Sequence, residues 1–403
     1  MQLNFSTYYT LICAALVLLV GKYLVHKIRF LRDFNIPEPV AGGLVAAAVI
    51  FSIHEFTGYS FTFNSDLQTG FMLIFFASIG LSANFAKLRE GGAGLVLFLC
   101  VITVFILVQN AVGIGLATAL GLDPLIGLIA GSITLLGGHG TAGAWGLVLE
   151  NEHGVQGAIT LGIACATFGL VIGGLIGGPL AKGLITRYRL TNPAAAEATA
   201  SAPDDANFEN PQKVRLITTE AAIETLALFA ACLGFAEFMT AFSKGTFFQL
   251  PTFVWALGGG VVLRNTLNYL FNFQVFDRAI DLFGNVGLSV YLAIALLSLK
   301  LWELSGLAGP LMIILLAQTL TMALFASLVT FRVMGKNYDA AVLSAGHCGF
   351  GMGATPTAIA NMQAITNQYG PSHKSFLIVP MVGAFFIDIV NAAMIQLFVK
   401  FLP

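Results

Sequence analysis

Ten apolar runs, each about the length that crosses a bilayer, leave this chain few folds. In the first half they lie near 6–26, 36–54, 69–86, 93–120 and 159–181. In the second they lie near 217–243, 252–271, 280–299, 306–331 and 376–399. A hydrocarbon core about 30 Å thick is spanned by roughly 20 apolar helical residues, so each run predicts a membrane span. A water-soluble fold fails on surface chemistry. Hydrophobic residues make up 57% of the chain and charged ones 10%, with mean hydropathy +0.86. Soluble domains carry about 45–50% and about 25%, so too few charges exist here to clothe a wet surface. A net charge of −1 offers no basic field for nucleic-acid phosphates. Cys13, Cys100, Cys165, Cys232 and Cys348 are scattered, without a CxxC pair or metal spacing, and read as small core residues. The first run has no basic residues ahead of it; its positive charges follow. It therefore reads as a retained span and not as a signal peptide.

Each half also holds one interrupted segment, 124–149 and 339–362, threaded with glycine. Shifting Leu136-Gly137-Gly138-His139-Gly140-Thr141 by 214 residues (351 minus 137) lays it on Phe350-Gly351-Met352-Gly353-Ala354-Thr355. Gly137 then meets Gly351 and Thr141 meets Thr355; Gly121 meets Gly335, and Ile36-Pro37 meets Leu250-Pro251. Glycine breaks helices because ordering it costs the most backbone entropy. Irregular backbone at membrane depth survives only inside protein or beside a wet cavity. Matched interruptions in two halves point to a transporter binding site. The predicted fold is an all-α polytopic membrane protein of two inverted-topology repeats, each five transmembrane helices plus a re-entrant hairpin. The repeats cover 1–189 and 217–403, joined by a polar linker at 190–216.

Five spans per half is an odd number, so the second half inserts upside down relative to the first. With the N-terminus outside, Lys22, Lys27, Arg29, Arg32, Lys87, Arg89, Lys182, Arg187, Arg189, Lys213, Arg215, Arg264, Arg278, Arg332, Lys336 and Lys374 fall on the cytoplasmic side. Only Lys244, Lys300 and Lys400 fall outside, 16 against 3, the asymmetry expected of cytoplasmic loops. Both termini are then external and the linker cytoplasmic. The first hairpin dips in from outside and the second from the cytoplasm. An arm of roughly 12 helical residues reaches about 18 Å, so the two tips meet near the midplane.

Helix N-termini at such tips present unpaired N–H groups that suit a carboxylate; unwound carbonyls suit a cation. The first hairpin offers Ser132, Thr134, His139 and Thr141, the second Ser344, Thr355, Thr357 and Asn361, with Pro356 placed for the first turn of a returning helix. Gly173-Gly174 and Gly177-Gly178 read as close helix packing. Asp388 sits in the middle of the last span with Asn391 three residues on. A carboxylate at that depth is expensive and marks an ion pathway, and the two oxygens are expected on one helix face. Glu220 and Glu224 lie at a span entrance and read as interfacial. His139 and His347 do not superpose under the repeat and read as hydrogen-bonded hairpin residues, with metal ligation or proton coupling as the other readings. Gln109, Asn110 and Gln318 suit scaffold hydrogen bonding. No Lys or Arg is expected at mid-span, so an anionic substrate would be held by helix ends, polar side chains and co-bound cations. A carrier of any small carboxylate, such as citrate, coupled to H⁺ or Na⁺ fits these residues; an ion channel also needs polar loops at the midplane. An enzyme is not indicated: no HExxH, Gly-x-Ser-x-Gly or paired catalytic Asp motif is present.

The stretches Ile36–Leu44, Ala130–Thr141, Ala345–Gln363 and Val379–Asn391 resemble the sodium/glutamate symporter family of the bacterial inner membrane, along most of the chain from Ile36 to Asn391. The resemblance implies Na⁺-driven uptake of L-glutamate by alternating access, elevator-like, in a homodimer without a cofactor. Carried onto this sequence, it leads us to expect substrate at Gly137, Gly138, His139, Gly140, Thr141, Gly353, Ala354, Thr355, Pro356 and Thr357. Na⁺ is expected at Asp388, Asn391, Thr355 and Asn361.

Overall fold

The computed structural model describes residues 2–34, 36–85, 92–191, 217–246, 249–273, 275–299 and 307–402. Nearly all of the 190–216 linker, and with it Lys213 and Arg215, lies outside these, as do Lys87, Arg89 and Lys300. Eight helices are long and apolar enough to cross a membrane: Thr7–Lys27, Glu38–Thr57, Ser65–Ser82, Gly92–Ala119, Ala158–Tyr188, Thr219–Ser243, Asp277–Leu297 and Ala308–Val333. The chain is a multi-pass membrane protein. Thr252–Phe271, and a run from His373 to Phe401 that passes through a π turn at Val382–Phe386, fill the two other expected positions. The only sheet among the described residues is a parallel pair, Gln2–Asn4 with Ser60–Thr62, which the apolar pattern did not announce.

Local chemistry sets the boundaries. Glu38–Thr57 follows an extended Pro37, has Pro39 in its first turn, and closes on a left-handed Gly58, the pattern of a proline start and a glycine stop. Thr252–Phe271 likewise follows Pro251. The third run begins four residues before its apolar stretch because the Asn64 side chain accepts the Leu67 N–H at 2.7 Å and caps the helix. Arg264, one of the cations read as cytoplasmic, lies in the second half of its helix. Thr252–Phe271 continues almost two turns past it, and its guanidinium is buried against Asp277 at 2.5 Å. The ion pair is what lets a cation sit within that helix.

The helices associate in two groups that cut across the halves. One gathers Thr7–Lys27, Glu38–Thr57, Ser65–Ser82, Thr219–Ser243, Thr252–Phe271 and Asp277–Leu297. The other gathers Gly92–Ala119, Ala158–Tyr188, Ala308–Val333, the last helix and both broken elements. Each group therefore takes corresponding pieces of both halves. On the outer helices, burial follows a single stripe: Thr10, Ala14, Val17 and Gly21 are the buried residues of Thr7–Lys27. Tyr8, Ile12, Leu16 and Leu19 face outward and are more than half exposed. An apolar surface of that extent is a lipid-facing one.

Candidate functional site

Both glycine segments break their helices. In the first, Pro124–Leu128 runs into a π turn, Ile129–Ile133, where Gly131 is non-helical (φ −108, ψ −134), and the returning helix Gly138–His153 starts at a Gly138 with φ 67. In the second, Tyr338–Gly351 stops, Ala354 is extended, and Thr355–Tyr369 returns with a proline in its first turn. The tips meet: a Cβ added at Gly138 would stand 3.7 Å from the Gly353 carbonyl.

They meet at a cavity of about 290 Å³ between the two helix groups, near the small end of the range for small-molecule sites. Gly137, Gly138, His139, Gly140 and Thr141 line one side, and Gly353, Ala354, Thr355 and Pro356 another. Asp388 and Gly383 come from the last helix, and Phe75, Ile79, Leu288 and Leu292 from the opposite group. The returning helices both begin here, so their first-turn N–H groups, which have no intrahelical acceptor, edge the cavity. Nine of the ten expected substrate residues are thus brought together. Thr357 is the exception: it is buried on the face turned toward Gly174, its hydroxyl without a partner among the described residues.

Of the expected cation ligands, Asp388 and Thr355 line the cavity. The carboxylate of Asp388 has no hydrogen-bond or ion-pair partner among the described residues, and no Lys or Arg lines the cavity. Thr355 Oγ1 donates to the Gly383 carbonyl at 2.8 Å, tying the second tip to the π turn of the last helix. Asn391 and Asn361 do not line the cavity. Asn391 Nδ2 donates to Ser132 O at 3.0 Å, at the first break. Asn361 Nδ2 donates to Gly173 O at 2.8 Å, holding the second hairpin against Ala158–Tyr188. That contact rests on Gly169, Gly173 and Gly177, where an added Cβ would run into Met352 O, Cys348 O and Asn361. Gly173 and Gly177 are close-packed as expected, whereas Gly178 faces open space.

His139 Nε2 lies 3.0 Å from Thr167 Oγ1, whose own proton goes to Ile163 O at 2.8 Å. The imidazole therefore donates through Nε2 and presents a bare Nδ1. His347 lies elsewhere, 2.8 Å from Thr330 and boxed by Phe98, Phe105, Phe325 and Phe350. Gln109, Asn110 and Gln318 form a buried layer: Gln109 donates to Gly351 O at 3.1 Å, Gln318 to Gln109 O at 2.8 Å, and Asn110 accepts from Ser132 N at 2.9 Å. Gly383 and Tyr291, which donates to Gly140 O at 3.2 Å, were not singled out from the sequence. The repeat held a signal for Gly383, since it falls on Gly169 under the same shift.

Residues 3–371 match the family model described as sodium/glutamate symporter. A sodium/glutamate symporter of Haemophilus influenzae is 54% identical over 399 residues, 98% of each chain. One of Escherichia coli strain K12 is 52% identical over 399 residues, again 98% of each, and that of Shigella flexneri is similar to the same degree.

Proposed function

The chain belongs to the sodium/glutamate symporter family, and from that premise we propose that it takes up L-glutamate with Na⁺ through the cavity between the two tips. The carrying observation is the unpaired Asp388 facing two helix starts across a cavity lined by no Lys or Arg. Helix-start N–H groups at Gly138–Gly140 and at Thr355 hold the substrate carboxylates, and the bare Nδ1 of His139 accepts from the ammonium. Glutamate brings a net negative charge to a site that already holds Asp388. Burying both without a counter-ion is costly, so Na⁺ at Asp388 and Thr355 makes glutamate binding favourable, and that dependence is the coupling. Asn361 holds the second hairpin in place, and Asn391 holds the first break through Ser132 O.

The broken elements act as re-entrant hairpins entered from opposite faces, the two halves as inverted repeats, and the linker lies in the cytoplasm of a bacterium whose inner membrane holds the protein. The cavity is walled by both helix groups, so sliding one past the other would carry the site between the two sides, an elevator-like alternation. Pairing of two copies rests on the family resemblance alone. The test is uptake of radiolabelled L-glutamate into proteoliposomes under an inward Na⁺, K⁺ or pH gradient, with citrate as competitor. Accumulation with Na⁺ alone and no citrate competition is expected. Accumulation driven by the pH gradient, or displaced by citrate, would replace the named ion or substrate, and flux that never saturates would indicate a channel.

A further inference from the structure

Tyr291 ties the two helix groups together at the first tip. It belongs to Asp277–Leu297, in one group, and its hydroxyl donates at 3.2 Å to the Gly140 carbonyl of Gly138–His153, in the other. The side chain is buried. Leu288 and Leu292 on either side of it in sequence line the tip cavity, and Tyr291 does not. Glycine makes the contact possible: a Cβ added at Gly143 would stand 2.2 Å from the Tyr291 hydroxyl, and one at Gly140 2.6 Å from Phe75. Under the 214-residue shift (291 minus 77) Tyr291 falls on Ala77, Gly140 on Ala354 and Gly143 on Thr357. Ala77 brings no hydroxyl. The next residue, Ser78, has one, but donates it to Phe75 O at 2.7 Å and stands against Gly284. The hydroxyl that holds the first tip across the group boundary has no equivalent at the matching place.

The tip cavity also lies toward one end of that boundary. Pro37 lines it, whereas its mate Pro251 lines a second cavity of about 890 Å³ between the same two groups. Pro37 follows Arg29 and Arg32, read as cytoplasmic, and Pro251 follows Lys244, read as external. Where two repeats are inverted, exchanging their conformations gives the opposite end state. That exchange puts the tips toward Pro251 and sets Ala77 where Tyr291 stood. A slide of one helical turn, about 5.4 Å, already takes the Gly140 carbonyl out of hydrogen-bond reach. We propose that Tyr291 is a positioning residue that registers the first tip against the opposite helix group, so that the ligand-free carrier rests with its tips toward the cytoplasm. A buried neutral hydrogen bond made in one state and lost in the other weights the two on the order of fivefold.

This role rests on the sliding alternation proposed above, and two measurements separate the fates of the two. Glu152 and Glu237 are exposed and line the larger cavity from different helix groups. Spin labels at Glu152→Cys and Glu237→Cys, with Cys13 and Cys100, the two thiols that are not buried, replaced by Ala, report the separation of the groups by double electron–electron resonance in nanodiscs. Without Na⁺ or glutamate, one distance should dominate over a minor second. Tyr291→Phe, which keeps the ring and loses the hydroxyl, should raise the minor population about fivefold. In right-side-out proteoliposomes the same change should lower the apparent KM for external glutamate several-fold, because apparent affinity scales with the fraction of carrier open to that side. Should Tyr291→Phe not fold, Gly143→Ala drives a Cβ into the hydroxyl and is read the same way. Two distances whose weights the variant leaves unchanged, with KM unchanged or raised, would remove the registering role and keep the alternation. A single distance that neither Na⁺ with glutamate nor the variant alters, in protein that transports, would remove the alternation and this role with it. Shifted weights in protein that takes up no glutamate would keep the role and remove the named substrate.

Discussion

In the first broken element the chain leaves its helix through a π turn and a non-helical Gly131 and re-enters at Gly138 with φ 67. In the second it runs straight to Gly351 and restarts at Thr355 after an extended Ala354. Gly138 is required by that left-handed backbone; its counterpart under the repeat is Met352, which has no positive φ. The supports differ as well. Asn110 and Asn391 hold the first break by buried side-chain hydrogen bonds. The second rests its backbone on the small face of Ala158–Tyr188 and is pinned by Thr355 to Gly383. The shared glycine spacing of the two segments marks where the backbone opens. It does not fix how the opening is stabilised.

The largest effect that would break this comparison lies on the second support. Gly169→Leu drives a side chain into the Met352 carbonyl, and overpacking of about 3 kcal/mol or more should remove monodisperse protein from a size-exclusion profile. Gly178→Ala, on the same helix but facing open space, should change Tm by no more than a substitution worth about 0.5 kcal/mol. Equal losses from both would mean that the glycine face is not the support. Next in size is Asp388→Asn on the helix that serves both breaks. Na⁺-driven uptake should fall about 100-fold, the equivalent of roughly 2.7 kcal/mol, with the protein still folded. Unchanged Na⁺ activation would release Asp388 from its proposed role. Asn110→Ala leaves the buried Ser132 N–H without its acceptor and should cost about 1–3 kcal/mol, read as a lowered Tm. Its effect sharpens the contrast, because among the described residues no side-chain acceptor on the second break has this duty. The smallest is Thr355→Val, losing one hydrogen bond worth about 1 kcal/mol and one proposed Na⁺ ligand, which should raise the half-activating Na⁺ concentration and the glutamate KM several-fold with the protein still folded.

The span positions and the two tips could be read in the sequence because apolar length and glycine spacing are local properties. Asp388 could be placed for a similar reason: a mid-span carboxylate has few tolerable surroundings, and here it reaches the tips. Side-chain partnerships were less legible. Spacing of three put Asn391 on the same face as Asp388, but three residues also carry it about 4.5 Å along the helix and 60° around it. That is enough to take it from the cavity to Ser132. Asn361 was readable as a polar residue of the second hairpin, but its partner Gly173 lies 188 residues away, beyond any local pattern. The two packing groups have no local sequence signature, because they exist only once helices choose neighbours.

The backbone contact between Ala158–Tyr188 and the second hairpin has a mechanical consequence. Where no side chains intervene, nothing soft lies between the two helices, and interiors packed this closely transmit strain instead of absorbing it. Met352 lies directly against Gly169, so the hairpin tip borrows the stiffness of a 31-residue rod. In the sliding alternation proposed above, a tip so braced would keep its shape while its bundle moves, so the site could be relocated without being rebuilt.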